Sequence, residues 1–269
     1  NAERVSQIAQ ELLKNRPADK PFFAWIHFSD PHAPYHYHRE FSPVKTSLYI
    51  LDRKERSRVK YASEVAYTDH HIASVLAALP ENTIVVFVAD HGESLYEHGY
   101  LGHGRNLHQP STHVPLIIRA VNVAPGRTNT PVGTMDVGKT ILGLLGIGSI
   151  PGMLGCNILH ETIPHDRACF METYGGAVPG LPGMKQLLEA TSPVHQSVVK
   201  TGFKLICSEN QQPVLYYLPD DADERRNLAP HQPALHGELK SLLEFWNRTF
   251  PRGKEHVVEL MEEDRDALK

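Results

Sequence analysis

The stretch 83–119, TIVVFVADHGESLYEHGYLGHGRNLHQPSTHVPLIIR, decides how the rest of the chain is read. An apolar run ends in Asp90-His91-Gly92, and His98, His103, His108 and His113 follow before a second apolar run begins. A short continuous apolar run rich in β-branched residues reads as a strand buried on both faces, the habit of parallel sheets. Ligands of open α/β sheets bind beyond the carboxyl ends of the strands, which is where Asp90 and His91 stand. A carboxylate and an imidazole adjacent at a strand end can both turn toward one divalent cation. Gly92 then lets the backbone bend away without a Cβ clash.

Upstream, FFAWIHF at 22–28 reads as another strand buried on both faces, with His27 as a packed core ring. Asp30, His32 and Tyr35 follow it directly, so His32 is expected to face the same rim as Asp90. Residues 36–58 form a long polar loop, and loops of that length in compact domains are commonly functional. Ala62, Val65, Asp69, Ile72, Ala73, Leu76 and Leu79 recur at helical spacing and predict a helix over 59–79. Asp69 falls on its apolar stripe and reads as a carboxylate satisfied by its neighbours.

Downstream, VPLIIRA is a third strand, and VGKTILGLLGI after Asp136 is a helix stopped by Gly146 and Gly148. Strands alternating with helices imply parallel crossovers and an α/β sandwich. Near residue 165 the character changes: RACFMETY, HQSVVKTGFKLICS and PVLYYL read as short antiparallel strands, and PALHGELKSLLEFWNRTF as a closing amphipathic helix. The expected organisation is an α/β domain over 1–164, a small antiparallel-sheet-plus-helix subdomain over 165–250, and a charged tail over 251–269.

The 269 residues, 41% hydrophobic and 22% charged, suit a globular chain with a sizeable core. A net charge of -4 gives no electrostatic reason to expect nucleic acid. No apolar run approaches the roughly 18 residues of a membrane span. Cys156, Cys169 and Cys207 are odd in number and widely spaced, which suggests buried thiols rather than a disulfide framework or a zinc-binding cluster. The chain opens without Met, already inside a helical pattern (Val5, Ile8, Ala9, Leu12, Leu13), and reads as a piece of something longer. Its compartment is not legible.

Taken in order, FFAWIHFSDPHAPY, VADHGESLYEHG, GHGRNL, HVPLIIR and VKTGFKLI with VLYYLPDDADERRNLA resemble the sulfatase family of the alkaline phosphatase superfamily. The resemblance runs from about residue 3 to 249 and implies an alkaline-phosphatase-like α/β sandwich with a mostly parallel sheet plus a small antiparallel C-terminal subdomain. It implies that Asp90 and His91 are metal ligands. His32, in DPHAPY, matches the histidine that contacts the transferred group near the leaving oxygen, and His103, in GHG, a Lys or His position that touches the same group. Arg105 is a further candidate for binding substrate. His98 and His108 have no such match and read as surface or rim residues. His113 departs from the Arg common in the family before Val-Pro.

The family's nucleophile, a Cys or Ser in C/S-x-P-x-R, is absent: no cysteine has the required Pro and Arg, and SIPGM carries Met153 where Arg belongs. The expectation is a metal-dependent sulfate ester hydrolase whose upstream half, on the same polypeptide, carries the nucleophile, so that these 269 residues alone are inactive. One divalent cation is implied, Ca2+ ahead of Mg2+, Mn2+ or Zn2+. The partner is a small-molecule or glycan sulfate ester. The alternatives are a phosphate or phosphonate ester hydrolase or phosphoryl transferase of the same superfamily, and a non-catalytic binding relative.

Overall fold

The computed structural model describes residues 1–45, 47–148, 150–175, 194–209 and 211–250. The tail at 251–269, Ser149 and most of the segment 174–195 lie outside the described residues. The chain divides into two compact units, Asn1–His165 and Asp166–Lys269. No helix among the described residues is long and apolar enough to cross a membrane.

The first unit opens on α1, Ala2–Asn15, where the Asn1 side chain accepts from the Arg4 amide. Glu3 in its first turn and Lys14 in its last each face the favourable end of the helix dipole. Ala2, Ser6, Ala9 and Leu13 form its buried stripe, and the Ser6 hydroxyl donates to the His71 carbonyl of α2, Arg53–Ala77. Ala9, Leu13 and Val75 make a core on which Ile26, Phe28 and Leu79 pack. Helix α2 begins with a capping box: Asp52 accepts from the Glu55 amide at 2.9 Å and Glu55 accepts from the Asp52 amide at 3.2 Å.

The buried face of α2 is not the expected one. Val59, Ser63, Glu64, Tyr67, Thr68 and Val75 are buried, while Val65 and Asp69 are exposed. The reason is the polar loop before the helix. The His36 amide donates to Glu64 and the His38 amide to the Ser63 hydroxyl, and His38 stacks on Tyr67 at 3.9 Å. A loop docked by hydrogen bonds covers a polar stripe, and apolar periodicity carries no signal for that.

FFAWIHF also departs from expectation. It forms no strand and enters no ladder among the described residues. Ile26 and Phe28 face α1 and α2, whereas Phe23 and Trp25 are 79% and 81% exposed and His27 is exposed rather than packed. Side chains of an extended chain alternate, so covering one face leaves the other open.

Strand β1, Val85–Val88, pairs with β4, Leu116–Arg119, through the register Val85↔Arg119 to Val88↔Leu116. The pairing is antiparallel where a parallel crossover was expected. The connection carries the two-residue strands β2, Ser94–Leu95, and β3, Leu101–Gly102, a 3-10 turn at Glu97–Gly99 between them, and the single turn α3, Gln109–Thr112. Lacking a crossover helix, it returns the chain alongside β1. Helix α4, Asp136–Leu144, follows. Its buried Asp136 carboxylate accepts from the Gly133 and Cys156 amides at 2.8 and 2.9 Å, and Gly146 leaves the helix at φ +67°.

In the second unit, β5 (Cys169–Thr173), β6 (His195–Lys200), β7 (Phe203–Ser208) and β8 (Gln211–Tyr217) form an antiparallel sheet in sequence order. Thr201 and Gly202, at φ 48° and 82°, make the two-residue turn between β6 and β7. Helix α5, Pro233–Thr249, lays Leu239 and Leu243 on Val198, Leu205 and Leu215. A fully buried ion pair, Lys204 Nζ to Glu224 Oε1 at 2.8 Å, lies in this unit. Burial pushes the Lys204 ammonium below its ordinary pKa, and Glu224 works against that push.

Candidate functional site

Strand β1 delivers Asp90 and His91 at its carboxyl end. The chain turns there because Gly92 runs against α3: its amide donates to the Ser111 carbonyl at 2.9 Å, and a Cβ on Gly92 would stand 2.0 Å from the Pro110 carbonyl oxygen. A buried polar network ties the rest of the connection to the same point. The Ser94 and Ser111 hydroxyls are 2.9 Å apart, the Asn106 amide group donates to Ser94, and the Asn106 carbonyl oxygen accepts from the His108 amide. Gly92→Ala is therefore expected to destabilise the first unit by about 1–3 kcal/mol or more. A thermal unfolding midpoint equal to that of the wild type would show that the contact relaxes freely.

Three imidazoles meet at this strand end. His91 stacks on His103 with centroids 3.8 Å apart, and His32 meets the His103 ring edge-on at 5.1 Å. His32 comes from the segment after FFAWIHF and His103 from the connection after β3, so tertiary structure joins positions 32, 91 and 103. Asp90 is beside them: its Oδ1 accepts from the His91 amide at 2.9 Å, and its Oδ2 is 3.6 Å from His91 Nε2. The Asp90 side chain is 73% exposed, so its oxygens are open at the rim.

Glu93 anchors the cluster. Its side chain is only 4% exposed; His103 Nδ1 lies 2.6 Å from Oε2, and the Tyr35 hydroxyl donates to Oε1. Burial by itself raises the Glu93 carboxyl, but the bonds from His103 and Tyr35 outweigh it and hold the group below its ordinary value. The same bond raises His103, against burial and against the nearby Arg105 charge. Burial, with Glu93 adding to it, pushes the Tyr35 phenol far up. His103 thus presents Nδ1 to Glu93, which leaves Nε2 as the nitrogen free to meet a ligand.

His91, Glu93 and His103 bring one possible ligand atom each within 4.8 Å of one another, a group able to hold a metal ion. Stacked rings, however, aim their in-plane lone pairs side by side rather than at one point, and Glu93 is already engaged by His103 and Tyr35. The open oxygens of Asp90 with the His91 ring fit one side of a divalent-cation site. Ca2+ takes six to eight oxygen ligands, so further donors are required.

Arg105 is turned to its own loop, with Nη2 donating to the Leu101 carbonyl at 2.7 Å. His98 and His108 stack on each other at 3.7 Å, and His113 is exposed. Glu93 is the residue that sequence reasoning passed over. Its signal is the register of β2 and β3: Ser94 pairs with Gly102, so the flanking residues 93 and 103 face each other. Two-residue strands are too short for periodicity to reveal that register.

Comparison with known proteins adds the following. The family model described as Sulfatase matches residues 2–147, more than half of the chain. Arylsulfatase K of Danio rerio is 26% identical over 233 residues, covering 81% of this chain and 42% of that protein. The crystal structure of the putative sulfatase yidJ from Bacteroides fragilis superposes with a TM-score of 0.72 at 17% identity, over 92% of this chain and 58% of the other. The phosphonate monoester hydrolase of Agrobacterium radiobacter superposes with a TM-score of 0.60 at 22% identity, over 73% and 42%. These superpositions bear out the alkaline-phosphatase-like α/β fold class. The chain spans about half the length of the curated relatives it matches.

Proposed function

This chain belongs to the sulfatase family, and from that premise we propose that, within its full polypeptide, it forms the metal-binding and leaving-group side of a sulfate ester hydrolase. The observation that carries the reading is the meeting of His32, His91 and His103 at the end of β1, beside the open Asp90 carboxylate. On this reading residues 1–164 belong to the catalytic domain and 165–250 to an appended subdomain, a division supported by the boundary at His165 and Asp166.

Each residue then has a task that follows from its place. Asp90 and His91 hold one divalent cation, Ca2+ first because carboxylate oxygens are hard ligands. That cation supplies charge stabilisation for the nonbridging oxygens of the ester. His103, fixed by Glu93, offers Nε2 to the same oxygens, where a preorganised donor acts without reorganisation. His32 gives a proton to the alcohol oxygen as its bond to sulfur breaks, and a nucleophile attacks sulfur from the other side. Arg105 adds positive charge near His103, and its Nη2 donates to the Leu101 carbonyl.

The nucleophile is proposed to come from an upstream part of the same polypeptide. The absence of C/S-x-P-x-R from the chain supports this, as do the exposed Phe23 and Trp25 of a segment without a ladder. The substrate is a small-molecule or glycan sulfate ester. Asp90→Ala in the full polypeptide is expected to lower both bound divalent metal and turnover of an aryl sulfate, with Ca2+, Mg2+, Mn2+ and Zn2+ each added back to the metal-free protein. Unchanged metal content in that variant would sink the ligand assignment. Turnover of phosphate or phosphonate monoesters in preference to sulfates would replace the reaction with that of a phosphoryl-group hydrolase.

A further inference from the structure

A second feature of the first unit is a cleft of about 670 Å3 between the 37–49 loop and the start of α2. Four cations line it, Arg39, Lys45, Arg56 and Lys60, together with Tyr37 and Tyr49, and no carboxylate lines it among the described residues. That is a local excess of positive charge on a chain whose net charge is -4. Two of the four, Lys45 and Arg56, are held in place by backbone carbonyls. Lys45 Nζ donates to the Arg39 and Glu40 carbonyls, both at 3.2 Å, and Arg56 donates through Nε and Nη2 to the Leu48 and Leu51 carbonyls at 3.1 Å. Carbonyl partners orient a cation without neutralising it, and both side chains keep further donors. Of the acids close in sequence, Asp52 and Glu55 close the capping box, Glu64 is buried against the His36 amide, and Glu40 is exposed and does not line the cleft.

The cleft adjoins the imidazole cluster through two stretches of chain. Tyr35, bonded to Glu93, and Tyr37, lining the cleft, are two residues apart, at most about 7 Å along the backbone. Lys60 in the cleft is followed by Tyr61, whose ring packs on Tyr35 at 5.5 Å. Tyr49, at the cleft, is 94% exposed, a flat apolar face with a polar tip presented beside the cations.

We propose that this cleft is an anion subsite that takes a second sulfate or carboxylate of a multiply charged glycan, with a sugar ring against Tyr49, so that the substrate class is a polyanionic oligosaccharide. The assignment rests on the sulfate ester hydrolase reading of the neighbouring cluster. Cations without carboxylates call for more than one negative charge, and exposed tyrosine beside them suits a ring with an apolar face. Nucleic acid would satisfy the charge as well and is kept as an arm of the test.

The test uses the full polypeptide with a chelator present, and titrates calorimetrically a sulfated chondroitin hexasaccharide, a monosulfated monosaccharide and a single-stranded DNA 12-mer. The hexasaccharide is expected to bind at least about 10-fold tighter than the monosaccharide, with affinity falling as salt rises. Arg39→Ser with Lys60→Gln should erase about 10-fold or more of that advantage, while Arg39→Lys with Lys60→Arg should retain most of it. Lys45 and Arg56 are left in place because they hold the loop. Equal affinity for the two saccharides, or a hexasaccharide affinity unmoved by the charge-removing pair, overturns the subsite. DNA bound as tightly as the hexasaccharide, with the same dependence on Arg39 and Lys60, overturns the glycan assignment. If the hexasaccharide binds through Arg39 and Lys60 but is not desulfated once metal is restored, the subsite stands and the hydrolase reading fails.

Discussion

Lys204→Met is expected to destabilise the second unit by about 3–5 kcal/mol, the cost of removing one partner of a buried ion pair. Lys204 and Glu224 are both fully buried and 2.8 Å apart, so water cannot replace the ammonium when it is removed. The Glu224 carboxylate then loses its buried cationic partner, at a left-handed backbone position, φ 54°. The double variant Lys204→Met with Glu224→Gln should be more stable than Lys204→Met alone, because it removes the buried carboxylate charge along with the ammonium. Urea unfolding of the four proteins closes a double-mutant cycle. A loss below about 1 kcal/mol in Lys204→Met would mean that the pair is hydrated in solution and that burial does not set its worth.

His103→Ala in the full polypeptide should lower kcat/KM toward an aryl sulfate by about 10² to 10³, the usual effect of removing one preorganised donor. His103 stands at the centre of the cluster, between His32 and His91, and Glu93 fixes which nitrogen it presents. If the ring acts on the charge that develops in the transition state, the loss falls mainly on kcat. A loss confined to KM would make His103 a ground-state contact. No loss at all would remove it from the reaction.

Local chemistry along the chain determined much of this protein. The stop of α4 at the φ-positive Gly146 and the apolar run ending at Asp90 are each legible from a few adjacent residues. So is the antiparallel sheet of the second unit, since Thr201-Gly202 is a hairpin turn and the strands on either side are short and β-branched. Asp90 and His91 could be marked as candidates because a strand end is itself a position in space.

Tertiary structure decided what lies opposite what. Helix α2 turns Ser63, Glu64 and Tyr67 inward because a polar loop docks there by hydrogen bonds, and hydrophobic periodicity counts only apolar side chains. FFAWIHF has an apolar outer face because the strand pairing of β1 and β4 does not extend to it among the described residues. Lys204 stands on the face of the sheet opposite Leu205 and α5, where Glu224 meets it. Glu93 reaches His103 through a ladder only two residues long. A pattern in sequence needs repeats to be seen, whereas a single pairing of residues distant along the chain has none; its free energy comes from contacts that exist only after folding.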